Sequence, residues 1–227
     1  MSLLDYVPSR SGLTFVEEEP RRVYTPPQPM TFEQFLDAFG EDDDVELIDG
    51  VAVAKMSAQY DHEKLYAWFQ RTLGVFVDEK KQGVLLGSRT AVEITNFRGR
   101  LPDLIFVTEA RRGIIRQKAI YGAPDLVIEI VSPHDRPSDV SSLETDYRGI
   151  GVTEIVFIDQ RKQSVRVLRH NADATDYTES KPVDTLTFAA IPGFQIGIAD
   201  LWSDPLPTPL SVVVPLLAAT RSSDTVP

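Results

Sequence analysis

The spacing of apolar residues along the chain predicts three helices. The first begins after Thr31, which has the spacing of a capping box with Gln34, and it is expected to end at Gly40. A longer amphipathic helix is predicted over residues 60–80, because its large apolar side chains recur every three or four positions. A third helix is expected over residues 138–148, closed by a glycine.

Between these helices, short apolar runs predict strands. Two β-rich segments flank Asp49-Gly50, a pair typical of a tight hairpin turn. Residues 84–88 and 90–94, which follow a helix stop at Gly83, are expected to form a strand pair or one bent strand. The most apolar runs lie further on, at residues 101–107, 125–132 and 153–159. This order of elements predicts a mixed α+β domain with a largely antiparallel central sheet flanked by helices.

The distribution of proline divides the chain into three regions. Residues 1–30 are expected to form an extended, proline-rich arm, residues 31–202 the main domain, and residues 203–227 a proline-rich tail. The N-terminus lacks the features of a signal peptide, and the longest late apolar run, residues 210–219, is shorter than the ~20 residues of a membrane helix. We therefore expect a cytoplasmic protein without a membrane span.

The composition restricts the chemistry. The absence of cysteine excludes disulfides, thiol nucleophiles and cysteine-ligated zinc. A net charge of −11 repels nucleic acid at long range, so that DNA binding would need local basic patches. Clusters such as Arg111-Arg112 and Arg161-Lys162 could supply such patches or could be solvated loop charges.

Two carboxylates stand out because they interrupt apolar runs. Asp103 lies at the start of one predicted core strand and Glu129 in the middle of another. A buried charge costs several kcal/mol unless it is paired or binds a cation, so these residues are candidates for a Mg²⁺ or Mn²⁺ site. The alternation along a strand places Glu129 on the face opposite to Ile128 and Ile130. The alternative is that Asp103 caps a turn and Glu129 pairs with an arginine.

A longer string of motifs carries a family resemblance. VELIDG is followed by Ser57 and His62, then by RLPD ending at Asp103, PDLVIEIVSP, and Tyr147 with GVTEIVFID. In this order and spacing the chain resembles the Uma-two family of restriction-endonuclease-like proteins, in the PD-(D/E)XK nuclease superfamily. The similarity runs from about residue 31 to about residue 197.

The resemblance implies a restriction-endonuclease-like core that hydrolyses DNA with Mg²⁺ or Mn²⁺, and it implies a homodimer. It assigns metal binding to Asp103 and Glu129 and a third acidic position, outer or catalytic, to Glu46. His62 matches a recurrent histidine at the start of the long helix, although a polar residue is also common there for purely structural reasons.

One position departs from the family pattern. The family's lysine usually lies four residues before the tyrosine, and Leu143 occupies that position here. Leucine can neither orient water nor stabilise negative charge. Lys118, Lys64 or Arg100 could act in its place, the site could cleave slowly without a lysine, or the protein could be a degenerate, non-cleaving binding scaffold. Hydrolysis of a small nucleotide or another phosphoester is a further option.

Overall fold

The computed structural model describes residues 14–18, 21–40, 43–55, 59–87, 89–132, 135–171 and 176–223. The chain folds into two compact units whose segments alternate along the sequence. The first unit comprises Met1–Ser57, Arg89–Pro102 and Ile114–Gly122, and the second comprises Ala58–Ser88, Asp103–Gly113 and Ala123–Pro227. Each unit contains one large, mostly antiparallel sheet and at least one helix, which confirms the predicted α+β class.

The first unit is built on a seven-stranded sheet. Its strands are β1 (Thr14–Glu18), β2 (Arg21–Thr25), β3 (Val45–Ile48), β4 (Val51–Ala54), β6 (Ala91–Thr95), β7 (Arg98–Arg100) and β9 (Ala119–Tyr121). They are arranged in the order β1-β2-β4-β3-β7-β6-β9, and only the β6–β9 pair is parallel. Helix α1 (Phe32–Ala38) contributes Phe32 and Phe35 to the apolar core of this unit.

The predicted hairpin and capping box of the first unit are confirmed. The Thr31 hydroxyl accepts from the Gln34 N–H at 3.3 Å, and the Gln34 side chain accepts from the Thr31 N–H at 2.9 Å. Asp49 and Gly50 both have positive φ, at 51° and 79°, as a two-residue hairpin turn between right-twisted strands requires. A β-carbon on Gly50 would lie only 2.4 Å from the β-carbon of Pro29, so the turn also needs glycine for space.

The extended arm predicted for residues 1–30 is wrong for part of its length. Strands β1 and β2 pair with each other, and β2 pairs with β4, so this segment belongs to the sheet. The physical reason is that the prolines at positions 26, 27 and 29 follow the end of β2 and remove no ladder hydrogen bond from it. The division of the chain at residues 31 and 202 remains a prediction.

The second unit is built on a six-stranded sheet with a separate two-stranded one. The six strands are β5 (Gly83–Gly87), β8 (Leu104–Thr108), β10 (Leu126–Val131), β11 (Glu154–Asp159), β12 (Ser164–His170) and β13 (Tyr177–Ser180), in the order β13-β12-β11-β10-β8-β5. The small sheet pairs β14 (Thr185–Thr187) with β15 (Gln195–Gly197). The helices of this unit are α2 (Tyr60–Lys80), α3 (Pro137–Ile150) and α4 (Pro209–Ser223).

Strand β10 lies at the centre of the second unit. It pairs antiparallel with β8 and parallel with β11, and α3 makes the crossover that a parallel pair needs. Leu126, Ile128 and Ile130 belong to the apolar core of the unit together with residues of α2. The opposite face of β10 therefore carries Glu129, as the alternation predicted.

Three boundaries differ from the predicted ones. Helix α2 ends at Lys80 and is capped by Lys81 in the left-handed conformation, so it stops before Gly83. Gly83 instead begins β5, where an added β-carbon would lie 2.1 Å from the carbonyl oxygen of Val107. Helix α3 continues to Ile150 and is closed by Gly151, and the predicted tail contains α4. Of the described helices, none is both long and apolar enough to cross a membrane.

The strand pair or single bent strand predicted for residues 84–88 and 90–94 is also wrong. Strand β5 pairs with β8 in the second unit, whereas β6 pairs with β7 and β9 in the first. Closeness in sequence suggested a hairpin, but the longer-range partners determine the sheet to which each strand belongs.

Candidate functional site

Asp103 is buried at the entrance to β8, with 4% of its surface exposed. Its Oδ2 accepts a hydrogen bond from the backbone N–H of Ile130 at 2.7 Å and lies 3.1 Å from Nε2 of His62. The strand predicted over residues 101–107 includes Asp103, whereas β8 begins directly after it, at Leu104. The orientation of the Asp103 carboxylate is thereby fixed by contacts with strand β10 and helix α2.

Glu129 lies in the interior of β10 and is 6% exposed. Its Oε1 accepts a hydrogen bond from the hydroxyl of Tyr147 at 2.5 Å, and Tyr147 is itself completely buried on α3. A buried carboxylate without such a donor would lose much of its solvation, so this contact offsets part of the cost of placing a charge in the sheet.

The two acidic positions lie at the end of the ladder between β8 and β10. The last pair of that ladder is Leu104 with Ile128, so Asp103 precedes it on one strand and Glu129 follows it on the other. That the two carboxylates share one cation stays a prediction.

The chemistry of this donor pair fits one class of metal ion. Mg²⁺ is often held by one or two carboxylates, with water and substrate phosphate completing the coordination. Within the described ranges no three or more His, Asp or Glu side chains are grouped so as to hold a metal. Two hard oxygen donors fit Mg²⁺ or Mn²⁺ in this role, and they do not fit a four-ligand structural zinc site.

His62 occupies the first turn of α2 and is 8% exposed. The sequence left open whether it was a site residue or an ordinary polar residue at a helix start. Its Nε2 contacts the carboxylate of Asp103, 41 residues away in the sequence. The assignment of His62 as a site residue stays a prediction.

Glu46 and Arg100 form a buried ion pair in the first unit. Nη1 of Arg100 lies 2.8 Å from Oε2 of Glu46, and Oε1 of Glu46 accepts from the backbone N–H of Leu101 at 3.1 Å. The Leu101 carbonyl accepts from Nζ of Lys55 at 2.8 Å. Glu46 and Lys55 therefore hold the N–H and the carbonyl of Leu101, and no sequence pattern indicates the role of Lys55.

The sequence of the chain matches a known protein family. A family model described as "Putative restriction endonuclease", Uma2, matches residues 31–201, which is most of the chain. The chain belongs to the Uma2 family. The predicted resemblance is confirmed, and with it the membership of a family described as nucleases.

A solved structure supports the fold. The crystal structure of a putative nuclease from Anabaena variabilis ATCC 29413, at 1.96 Å resolution, is similar to this chain with a TM-score of 0.63. The two share 21% sequence identity, and the similarity covers 77% of this chain and 98% of the other. At that identity the likeness shows a shared fold. No curated protein matches the chain.

Relative to the Uma2 pattern, the main departure lies on α3. Leu143 precedes Tyr147 by four residues, so the two side chains lie on the same face of the helix, one turn apart. Tyr147 uses that face to reach Glu129. The position where the resemblance leads us to expect a lysine is therefore on the Glu129-facing side of α3, and here it carries an apolar side chain.

The three cations considered as replacements are all engaged in ion pairs. Arg100 pairs with Glu46, Lys64 lies 2.6 Å from Asp204, and Lys118 bonds to Asp37. The hydrogen bond to Asp204 raises the pKa of Lys64, and the hydrogen bond to Asp37 raises that of Lys118. Both lysines are thus held in the charged form by acidic partners of their own.

A Pro-Asp sequence occurs twice, at Pro102-Asp103 and at Pro124-Asp125, and the second has a different role. Asp125 is 8% exposed and accepts hydrogen bonds from the N–H and the hydroxyl of Thr108, at 2.8 and 3.1 Å. Nη1 of Arg111 adds an ion pair at 2.9 Å. Asp125 therefore ties the end of β8 to the loop that carries Arg111, which is a structural function.

Proposed function

We propose that the chain is a Mg²⁺- or Mn²⁺-dependent endonuclease that hydrolyses DNA phosphodiester bonds at Asp103 and Glu129. The observation that carries this proposal is a pair of buried carboxylates, one at the entrance to β8 and one within the neighbouring strand β10, each with a protein donor on one oxygen. Membership of the Uma2 family supports DNA as the substrate.

The two carboxylates would hold the ion between them. A bound divalent cation would polarise the phosphodiester and lower the pKa of the attacking water. The residues of the chain supply the preorganisation: the Ile130 N–H and His62 hold Oδ2 of Asp103, and Tyr147 holds Oε1 of Glu129. Fixed ligands of this kind reduce the reorganisation that binding and catalysis require.

For Glu46 we propose a supporting role in place of direct chemistry. Its carboxylate is shared between the Arg100 guanidinium and the Leu101 N–H. Leu101 precedes Asp103 by two residues, so Glu46 stabilises the backbone that leads into the candidate ligand. Lys55 contributes to the same segment through the Leu101 carbonyl.

A second candidate function is a nuclease-fold scaffold that binds nucleic acid or protein without cleaving it. Leu143 favours this reading, because an apolar side chain on the Tyr147 face of α3 removes the positive charge that would stabilise the reaction's developing negative charge. The two functions differ in whether phosphodiester bonds are broken.

Plasmid nicking tests the proposal. Purified protein with Mn²⁺ or Mg²⁺ is expected to convert supercoiled plasmid into nicked or linear forms, and the Asp103→Ala variant is expected to leave it supercoiled. Equal residual activity of wild type and Asp103→Ala would overturn the endonuclease proposal. Specific plasmid binding without cleavage, at every metal concentration, would support the scaffold.

We also propose a homodimer, since closed twofold assemblies are the commonest oligomers and suit the cleavage of two-stranded DNA. Light scattering during gel filtration measures the mass and would contradict this with a monomer. The lack of cysteine and the DNA substrate lead us to propose the cytoplasm as the location.

A further inference from the structure

The turn between β11 and β12 carries two adjacent basic residues, Arg161 and Lys162, which the sequence alone does not distinguish from solvated loop charges. Lys162 is paired: its Nζ lies 2.8 Å from Oδ2 of Asp159, and its backbone N–H donates to Oδ1 at 2.9 Å. Arg161 is exposed, and within the part of the chain that the structure describes its guanidinium has no acidic partner. The charge of Arg161 is therefore not used to stabilise the fold.

The strand directions place this turn near the candidate site. Strand β8 runs antiparallel to β10, whereas β11 runs parallel to it, so the first residues of β8 lie at the same end of the sheet as the last residues of β10 and β11. Asp103 directly precedes β8, and the turn directly follows β11. Asp103 and the turn therefore lie at the same end of the six-stranded sheet of the second unit.

A side-chain hydrogen bond joins the turn to the helix that contacts Asp103. Nε2 of Gln160 donates to the backbone carbonyl of Asp61, in the first turn of α2, at 3.1 Å. The next residue of the helix is His62, whose Nε2 lies 3.1 Å from Oδ2 of Asp103. Arg161 directly follows Gln160, so it stands beside the helical turn that carries His62.

The strand register gives the scale of the separation. Ile130, whose backbone N–H donates to Asp103 at 2.7 Å, is the partner of Ile158 in the parallel pair of β10 and β11. Neighbouring strands are about 4.8 Å apart and residues rise about 3.3 Å, so the α-carbon of Arg161, three residues after Ile158, lies within roughly 11 Å of that of Ile130. Nucleotides of one DNA strand rise about 3.4 Å each, so this separation spans about three nucleotides.

We propose that Arg161 binds a backbone phosphate of the DNA, no more than about three nucleotides from the phosphate bound at Asp103. This inference rests on the proposed endonuclease function and adds a substrate contact to it. A guanidinium forms two parallel hydrogen bonds with a phosphate, a geometry that a lysine cannot supply. Because the chain carries a net charge of −11, DNA that approaches the site needs such a local cation.

The backbone of the turn is held on both sides of Arg161. Lys162 binds Asp159 across the turn, and Gln160 binds α2. The guanidinium is thus presented from a fixed position, so that little backbone ordering is required when DNA binds. A phosphate contact fixes the register of the DNA on the protein and carries no preference for base sequence.

Duplex binding by four proteins tests the proposal: wild type, Arg161→Ala, Arg161→Lys and the control Arg112→Ala. Arg112 is also an exposed arginine of the second unit, with 63% of its side chain accessible, but it follows the opposite end of β8 from Asp103. Fluorescence anisotropy with Ca²⁺ in place of Mg²⁺ gives the Kd for a labelled duplex at a series of NaCl concentrations. The slope of log Kd against log salt reports the number of phosphate contacts.

The expected loss is specific to the position and the charge of Arg161. Arg161→Ala should weaken binding by roughly 10-fold or more and reduce the salt slope by about 1, as the loss of one charged phosphate contact requires. Arg161→Lys should retain the salt slope and lose less affinity, and Arg112→Ala should bind as wild type does. An Arg161→Ala variant that matches wild type in Kd or in salt slope would overturn the proposal. An equal loss in Arg112→Ala, or no duplex binding by wild type, would also overturn it.

The same proteins separate this inference from the endonuclease proposal. Arg161-dependent duplex binding without metal-dependent plasmid nicking would refute the endonuclease and leave the phosphate contact in place. Nicking that depends on Asp103, with duplex binding that is indifferent to Arg161 at every salt concentration, would refute the phosphate contact alone.

Discussion

The hydroxyl of Tyr147 on α3 donates a 2.5 Å hydrogen bond to Oε1 of Glu129 on β10, and both residues are buried. This contact joins a helix to the central strand at the residue that we assign to metal binding. Tyr147 therefore holds the carboxylate of the proposed ligand without being a proposed ligand itself.

Tyr147→Phe should weaken both the fold and the site. The substitution removes the hydrogen bond from Tyr147 to a buried carboxylate oxygen, which is expected to cost about 1–3 kcal/mol in the free energy of unfolding. Urea denaturation measures that loss, and calorimetry should show weaker Mn²⁺ binding. Tyr177→Phe is the matched control, because Tyr177 donates to the carbonyl of Val152 and not to a carboxylate. An equal change of Mn²⁺ affinity in both variants would contradict the assigned role of Tyr147.

Leu143→Lys should increase nicking activity. The lysine would stand one turn before Tyr147 on the same face of α3 and supply the positive charge that leucine lacks. A gain of up to about 100-fold in the nicking rate is expected from one well-placed donor to developing negative charge. Leu143→Met, which stays apolar, should leave the rate unchanged. No gain in Leu143→Lys, with the fold and Mn²⁺ binding intact, would show that this position does not limit the reaction.

Replacing Asp103 or Asp125 by asparagine should have different effects on metal binding. Asp125→Asn removes the charge that binds Arg111 and should reduce stability by about 1–3 kcal/mol while Mn²⁺ still binds. Asp103→Asn should abolish Mn²⁺ binding. Thermal denaturation and calorimetry of both variants give the comparison. Metal binding that is lost in Asp125→Asn but retained in Asp103→Asn would reverse the assignment.

Two tyrosines should ionise at a higher pH than an ordinary tyrosine. Burial, together with the hydrogen bond to Glu33, raises the pKa of Tyr121 to about 12, and burial raises the pKa of Tyr177 to about 12. Because the folded pKa values exceed the ordinary value of 10.0, the associated stability is fully present below pH 10.0 and is lost as the pH rises towards 12. Ultraviolet titration of the tyrosinates measures this. Glu33→Gln should lower the pKa of Tyr121 and leave Tyr177 unchanged; an unchanged titration would exclude a contribution from Glu33.

Short sequence patterns correctly predicted the elements that are stabilised by residues close in sequence. The capping box of Thr31 and Gln34 and the turn at Asp49-Gly50 were predicted correctly, because each depends on residues that are close in sequence. The face of β10 that carries Glu129 was also predicted correctly, because side chains alternate strictly between the two faces of a strand.

The wrong predictions concern elements whose partners are far away in the sequence. Strand β5 pairs with β8 and strand β6 with β7 and β9, which no short pattern in residues 84–94 reveals. The same is true of the site: the contact of His62 with Asp103 and that of Tyr147 with Glu129 depend on how helices pack against the sheet. Sequence identified the candidate ligands, whereas the side chains that hold them required the tertiary structure.

Mn²⁺ titration by calorimetry of wild type and Glu129→Gln tests the central claim most directly, namely that Asp103 and Glu129 form one divalent metal site. Glutamine keeps the size of the side chain and an oxygen that can accept from Tyr147, but it removes the charge. The account predicts saturable binding of one ion by the wild type and no measurable binding by the variant. Equal Mn²⁺ binding by the two folded proteins, or none by the wild type, would contradict it.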